Sequence, residues 1–454
     1  MSSLDRTEVP ERGTMRDFSF PDVTRVDGPN GLDLRVGRMS RLPVVSVNLF
    51  MRAGEAALAP SRAGLGVLTA DALEGGSRRR SGTEIAEAME SIGARLSAAG
   101  GWEGTSVAMS CLADRLPEAM AILAETVLEP AFPDDEVERA KEQQLAHIRQ
   151  RTMDPGSLAT DAARVRYFAE SVPYARPVDG SVESIAEMQR DSMRGYADAN
   201  YRPGGGGLVV VGDVEPTEVQ AMVREHFGSW EGEPGTRPDF TVEPRTRQCT
   251  ITVVNRPTSV QSEIRVGHVG AARSTPDYYA LSIANMVLGG MFTSRLNLNL
   301  RERNGWTYGV RSRFTFRSQP GPFQVSAAVG SEATGPAVRE IVHELRGMAQ
   351  DGPTEEEVTA ARDFAAGIFG LQLETAAQVA TRVSQLIVFG LPDDHFDRYR
   401  DTVRGVTRDQ AAGAAARHIR PDELQIVVAG RADEVVGQLE ALEVGPVEVV
   451  EADA

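Results

Sequence analysis

An α+β fold made of two homologous halves, each a mainly antiparallel sheet packed with helices, is what this 454-residue sequence predicts. Two observations carry that reading: an internal repeat, and the order of apolar patterns inside each copy. "RPGGGGLVVVGDVEPTEV" begins at Arg202 and "RPDELQIVVAGRADEVV" at Arg420, an offset of 218 residues. Each is an apolar, strand-like run that ends in Gly and leads into an acidic helix start. Upstream, "RLPEAMAILAETVLEPAFPDDEVERAKEQ" from Arg115 pairs with "AVREIVHELRGMAQDGPTEEEVTAARDF" from Ala337. In both, an amphipathic helix runs to a proline, and acidic residues then open the next helix at the positive end of its dipole. Aligning Pro133 with Pro353 gives an offset of 220 residues. Offsets that agree this closely mark two copies of one α/β unit. The expected organisation is a first half over residues 1–228, a linker over 229–248 rich in Gly, Pro and charge, and a second half over 249–454.

Within each copy strands come early and helices follow. "VVSVNLFMRAG" (Val44 to Gly54) and "CTITVVNRP" (Cys249 to Pro257) open the two halves with continuous or period-2 apolar character. In "GTEIAEAMESIGARL", Ile85, Met89, Ile92 and Leu96 recur at spacings of three and four, which predicts one buried helix face. In the second half, Asn304-Gly305 stops a helix-like segment and starts a strand. Beyond it Trp306, Tyr308, Val310, Ser312 and Phe314 fall on one face by alternation. Grouped strands and helices, without strict β-α-β alternation, favour antiparallel pairing.

Composition excludes several functions. A formal charge of -17 and a pI near 5.0 argue against nucleic acid, whose binding rests on Lys and Arg neutralising phosphates. The opening "MSSLDRTEVPERGTMRDFSF" has no apolar core and does not read as a secretory signal, and no run approaches the roughly 18 apolar residues needed to span a bilayer. Cys111 and Cys249 lie far apart with no C-x-x-C spacing. A cytoplasmic chain with no membrane partner is expected. "PGGGG" at Pro203 precedes a strand and lacks G-K-[ST], so it reads as a tight connection, and no G-x-S-x-G elbow occurs.

The order and spacing of four segments carry a resemblance over nearly the whole chain. They are "GLGVLTADALEGGSRRRSGTEIAEAMESIGARLSA", "LEPAFPDDEVERAKEQQLAHI", "YRPGGGGLVVVGDV" and "LGGMFTSRLNLNLRERNGWTYGVRSRF". Together they resemble the insulinase/pitrilysin family of inverted-motif zinc peptidases, most of all its bacterial branch related to the mitochondrial processing peptidase. The resemblance implies one half of a peptidase clamshell. Active members hold zinc through two His of H-x-x-E-H and a downstream Glu, and the motif's own Glu activates water. Here Val67 stands at the first His, Ala70 at the Glu, Asp71 at the second His, and His147 at the downstream ligand position. A catalytic zinc needs three protein ligands and an open position. This chain is therefore expected to hold no metal and no catalytic residue; Asp71 and His147 read as ordinary surface residues, the alternative being a weak residual metal site. His226, His268, His343, His395 and His418 are scattered without ligand spacing.

Arg301 and Tyr308 match the family's substrate-binding pair, in which Arg grips peptide carbonyls and the Tyr hydroxyl donates toward the reacting carbonyl. On alternation alone, Arg301 is one solvated charge in "RERN" and Tyr308 a core aromatic beside Val310 and Phe314. The family context favours the binding pair. Some bacterial members divide the work between two chains, one with the zinc site and one with the Arg/Tyr pair. The resemblance thus implies a non-catalytic subunit that binds peptide beside a homologous partner bearing H-x-x-E-H and zinc. The alternative is a peptidase-like scaffold or peptide binder with no part in turnover.

Overall fold

The computed structural model of the chain describes residues 17–452 apart from 234–237 and 239, together with Gly13. In chain order the first part runs through β1 (Val23–Asp27), β2 (Asp33–Arg38), β3 (Val44–Met51), α1 (Leu65–Asp71), α2 (Gly82–Ser91), β4 (Arg95–Gly100), β5 (Thr105–Leu112) and α3 (Leu116–Leu128). It continues with α4 (Asp134–Met153), α5 (Pro155–Tyr167), α6 (Val182–Ala186), α7 (Arg190–Asn200), β6 (Gly207–Gly212) and α8 (Pro216–Phe227). The second part begins with β7 (Thr250–Asn255), β8 (Gln261–Val269), α9 (Tyr278–Asn285), β9 (Val310–Phe314), β10 (Pro322–Gly330), α10 (Thr334–Gln350) and α11 (Glu355–Leu371). It ends with α12 (Ala376–Phe389), α13 (Tyr399–Arg404), α14 (Arg408–His418), β11 (Gln425–Gly430), α15 (Ala432–Glu440) and β12 (Val447–Glu451).

These strands form two six-stranded sheets, ordered β1-β2-β6-β3-β5-β4 and β12-β7-β11-β8-β10-β9. Most ladders are antiparallel, as expected, but β2 runs parallel to β6, and β7 runs parallel to both β11 and β12. The two copies of the repeated motif become β6 and β11, which start at Gly207 and Gln425 and occupy the same place in each sheet. Both are buried along their whole length, consistent with a continuous apolar run covered on two faces. At the far edges, β4 and β9 alternate in exposure.

One face of each sheet carries the helices of its own half, and these bury the two large cores. The opposite faces are covered crosswise. Helix α12 lies on β3 and β6 of the first sheet, joining Phe50, Val209 and Val211 to Val379, Val383 and Leu386. Helix α5 lies on β8 and β11 of the second sheet, joining Ala159, Ala163 and Tyr167 to Val269, Val427 and Ala429. The acidic helix starts also appear: Asp134, Asp135 and Glu136 in α4, and Glu355, Glu356 and Glu357 in α11. No helix among the described residues is long and apolar enough to cross a membrane.

Three local expectations change. Ile85 and Met89 are buried on α2, but the helix ends at Ser91 and Leu96 belongs to β4, because Gly93 takes a left-handed conformation (φ 65°) and turns the chain. The first sheet does not open at Val44, since β1 and β2 precede it. Strand β2 carries Asp33 and Arg35, whose pairing at 3.1 Å, with Asp393 at 2.7 Å, lets a guanidinium lie inside. The strand after Asn304-Gly305 starts at Val310, leaving Trp306 and Tyr308 outside it. Part of the expected linker lies outside the described residues. Within the described part, Ala169 N–H donates to Glu243 O (2.9 Å) and Phe240 packs on Tyr174, with ring centroids 5.3 Å apart.

Candidate functional site

One carboxylate seats α1. Glu55 is fully buried; its Oε1 accepts from Gly66 N–H (2.6 Å) and Val67 N–H (3.2 Å), and its Oε2 from Gly64 N–H (3.0 Å). Three N–H groups without helical partners are thereby satisfied at the start of a short helix. Burial pushes the Glu55 carboxyl up, while these N–H groups and Arg176 pull it back. Gly64 enters the helix at φ 87°, where a Cβ would stand 2.5 Å from the Asp179 carbonyl oxygen.

On α1 itself Val67 is half-buried, Ala70 is fully buried and Asp71 reaches solvent. Protein packed around one side of Asp71 lifts its carboxyl above the usual range, Glu74 adds to the lift, and His147 opposes it. His147, mostly exposed, lies with Nε2 3.7 Å from Asp179 Oδ2, and Asp179 is also ion-paired with Arg151. Among the described residues, no group of three or more His, Cys, Asp or Glu side chains could hold a metal. An alkyl side chain at Val67 and a methyl at Ala70 supply neither a ligand nor a base, so these residues do not fit a catalytic zinc.

The second sheet builds a cleft of about 840 Å³. Its floor is the outward face of β9 and β10, where Arg313 stands opposite Gln324 and Arg311 opposite Ser326. One wall is α5, held to β8 by Arg265, whose Nε donates to Thr160 Oγ1 (2.9 Å) and Nη2 to Gly156 O (2.8 Å). The other wall is the segment between α9 and β9. It winds in wide turns, with Met291 N–H bonded to Met286 O (3.2 Å) and Asn304 N–H to Asn299 O (3.1 Å), five residues back in each case. Gly289 lets it press on the sheet, since a Cβ there would lie 2.6 Å from Ser312 N.

Buried Asn297 ties this wall together. Its Nδ2 donates to Met291 O (3.2 Å), Ser294 Oγ (3.1 Å) and Val310 O (3.0 Å), and its Oδ1 accepts from Val310 N–H (3.1 Å). Arg301 and Tyr308 lie in the stretch that Asn297 closes onto Val310, and both line the cleft. Tyr308 is 97% exposed and not a core aromatic. Gly305 at φ 67° ends the helical turns, and Thr307 Oγ1 both donates to Gly309 O (2.9 Å) and accepts from Gly309 N–H (3.2 Å), holding the chain in a loop. At the cleft's far end Arg317 lies against the Trp102 and Tyr174 rings, 5.1 and 4.3 Å from their centroids. Ser318 N–H donates to Glu103 Oε1 (2.9 Å), so the β4–β5 and β9–β10 hairpin tips meet.

Residues 39–173 match the family described as Insulinase (Peptidase family M16), and residues 187–364 match the Peptidase M16 inactive domain. An uncharacterized zinc protease of Mycobacterium tuberculosis is 30% identical over 350 residues, covering 75% of this chain and 77% of that protein. The chain belongs to the insulinase family, peptidase family M16. An M16 relative from Streptomyces coelicolor, also an uncharacterized zinc protease, is 24% identical over 90% of each chain. The crystal structure of a peptidase M16 inactive domain from Pseudomonas fluorescens superposes with a TM-score of 0.85 at 25% identity, covering 90% of this chain and 98% of that one. A protease from Helicobacter pylori shares the fold, with a TM-score of 0.82 at 17% identity over 90% and 99% of the two chains.

The cleft takes in Arg301 and Tyr308, the pair singled out from the sequence, and also Phe292 and Asn297, which sequence reasoning passed over along with Glu55. Glu55 had a visible cue, a lone acid in the Gly-rich approach to α1. Asn297 had none, because "NLNL" offers two asparagines that look alike and both are buried.

Proposed function

We propose that this chain is a non-catalytic subunit of a heteromeric zinc metallopeptidase, supplying Arg301 and Tyr308 to a peptide held at the zinc of a homologous H-x-x-E-H partner. The observation that supports it is a division within the chain. Arg301 and Tyr308 border one open cleft, whereas Val67, Ala70 and Asp71 occupy the positions where ligands and base would stand. An Arg fork can grip peptide carbonyls in the ground state, and a phenol can donate to an oxygen that gains negative charge as the peptide bond is attacked. A nearly fully exposed Tyr308 suits a donor that acts on chemistry in a neighbouring chain.

The test is steady-state hydrolysis of a fluorogenic peptide by the reconstituted pair, with assembly checked by size-exclusion chromatography. Tyr308→Phe should lower kcat by about 10²-fold or somewhat less, because one oxyanion donor is lost while the ring remains. Arg301→Ala should raise KM as well, because its grip exists before reaction. Alone, the chain should show no chelator-sensitive peptidase activity. Unaltered kinetics in both variants would remove the shared site and leave a scaffold.

A further inference from the structure

The charge lining the cleft opposes the charge of the chain. The whole sequence carries -17, yet Arg164, Arg301, Arg311, Arg313 and Arg317 line the cleft and, among the described residues, no Asp, Glu or Lys does. Three of the five have local company. Arg164 pairs with Asp161 (2.9 Å), Arg301 leans on Phe292 with Glu302 at 3.5 Å, and Arg317 lies against two rings with the Glu103 charge nearby. Arg311 and Arg313 differ. Both are exposed, and neither has an ion-pair partner among the described residues. Being two residues apart on a strand, they point the same way, roughly 7 Å from one another along the chain.

We propose that this cleft selects peptides with Asp or Glu side chains, and that Arg311 and Arg313 determine that specificity; the inference rests on reading the cleft as a peptide site. Strand β9 is the edge of its sheet. The Val310 N–H and C=O are taken by Asn297, and Ser312 O accepts from Asn285 Nδ2 (3.1 Å), so a peptide lies over the exposed face of β9, where Arg311 and Arg313 stand, and does not extend the sheet. In an extended peptide every second side chain faces one way, so acids at positions i and i+2 match the Arg311/Arg313 spacing. The acidic surface elsewhere repels a long polyanion and tolerates a short acidic segment drawn into a cationic cleft.

Binding to the single full-length chain tests this without a partner. Short fluorescent peptides, identical except for Glu, Gln or Lys at two alternate positions, are titrated by anisotropy. The Glu peptide should bind about 5–10-fold tighter than the Gln peptide, as expected for two exposed ion pairs, and the Lys peptide should bind most weakly. The Glu advantage should shrink between about 10 mM and 150 mM salt, where the screening length falls from about 30 to 8 Å. In the double variant Arg311→Gln/Arg313→Gln, confirmed as folded by its melting curve, the Glu/Gln ratio should fall to about one. Equal binding of the Glu and Gln peptides by the native chain overturns the proposal. So does a preference that survives in the double variant, or tighter binding of a single-stranded oligonucleotide than of the Glu peptide. Because hydrolysis with Arg301 and Tyr308 variants is read separately, silent kinetics with an intact charge preference would defeat the shared-site reading alone.

Discussion

The Arg301 guanidinium stands over the Phe292 ring, 4.2 Å from its centroid, and both side chains border the same cleft. Phe292 is 68% exposed, an uncommon position for a phenyl ring with no packing task. Holding Arg301 explains it, since an exposed cation–π contact is worth about 0.5–1 kcal/mol. If the proposed pair with an H-x-x-E-H partner forms, Phe292→Ala should therefore raise its KM by about 2–5-fold with little change in kcat or melting temperature. Phe292→Trp should restore KM. An unchanged KM in the Ala variant would show that the arginine keeps its place without the ring.

Asn297 makes four hydrogen bonds within the wall that carries Arg301 and Tyr308. Asn297→Ala leaves buried backbone groups at Met291 and Val310 unpaired, and should cost about 2–4 kcal/mol in urea unfolding. At temperatures where the variant stays folded, kcat/KM should still drop if the proposed shared site holds, because Arg301 and Tyr308 lose the anchor of their wall. Full activity in a destabilised but folded variant would assign Asn297 to stability only.

The degenerate metal positions can be tested by restoring ligands. Ala70 is fully buried, so a carboxylate there would be desolvated and is left out. The triple variant Val67→His, Asp71→His, His147→Glu offers three zinc ligands from α1 and α4 and should bind about one zinc per chain in a chelator competition, without gaining peptidase activity. A folded triple variant that takes up no zinc would mean that the three positions do not converge, and that His147 is not the downstream ligand position.

Acid should destabilise the second half through His268. The ring is buried, with Nδ1 2.8 Å from Val269 O and Nε2 accepting from Arg420 N–H (3.1 Å), an arrangement that suits the neutral form. Burial first, then the neighbouring Arg420 and His418 charges, bring its pKa down to about 3, against the bond to Val269 O. The unfolded chain takes up the proton near 6.5, so the stability from a neutral His268 is complete above that pH and is lost as the pH falls toward 3. At pH 5.5 the loss should be about 1–2 kcal/mol. His268→Gln should flatten the stability profile between pH 6.5 and 4, as read by denaturant midpoints across that range; a variant with the native slope would place acid sensitivity elsewhere.

Strands β6 and β11 were legible because both are continuous apolar runs, and their 218-residue spacing survives as equivalent places in the two sheets. Strand β2 was not legible, because Asp33 and Arg35 read as surface until Asp393 arrives from the other half. Arg301 and Tyr308 were singled out only through the family pattern. Alternation put Tyr308 in a strand core, whereas the Thr307 turn holds it in solvent, and side-chain turns of that kind carry no periodic mark. The pairing of β9 arginines with an open cleft depended on which sheet face α5 leaves uncovered, a property of packing between segments about 150 residues apart.

The crosswise placement of α5 and α12 sets a schedule for the chain as it leaves the ribosome. Strand β6 is complete at Gly212, but the helix that covers it and β3 begins only at Ala376. At about 5–20 residues per second, the interval between them lasts roughly 10–30 s. Throughout it Phe50, Val209 and Val211 present an uncovered apolar sheet face to the cytosol of the translating cell. The first half is thus synthesised before its cover exists, and truncation anywhere before α12 should leave an aggregating fragment in place of a folded domain.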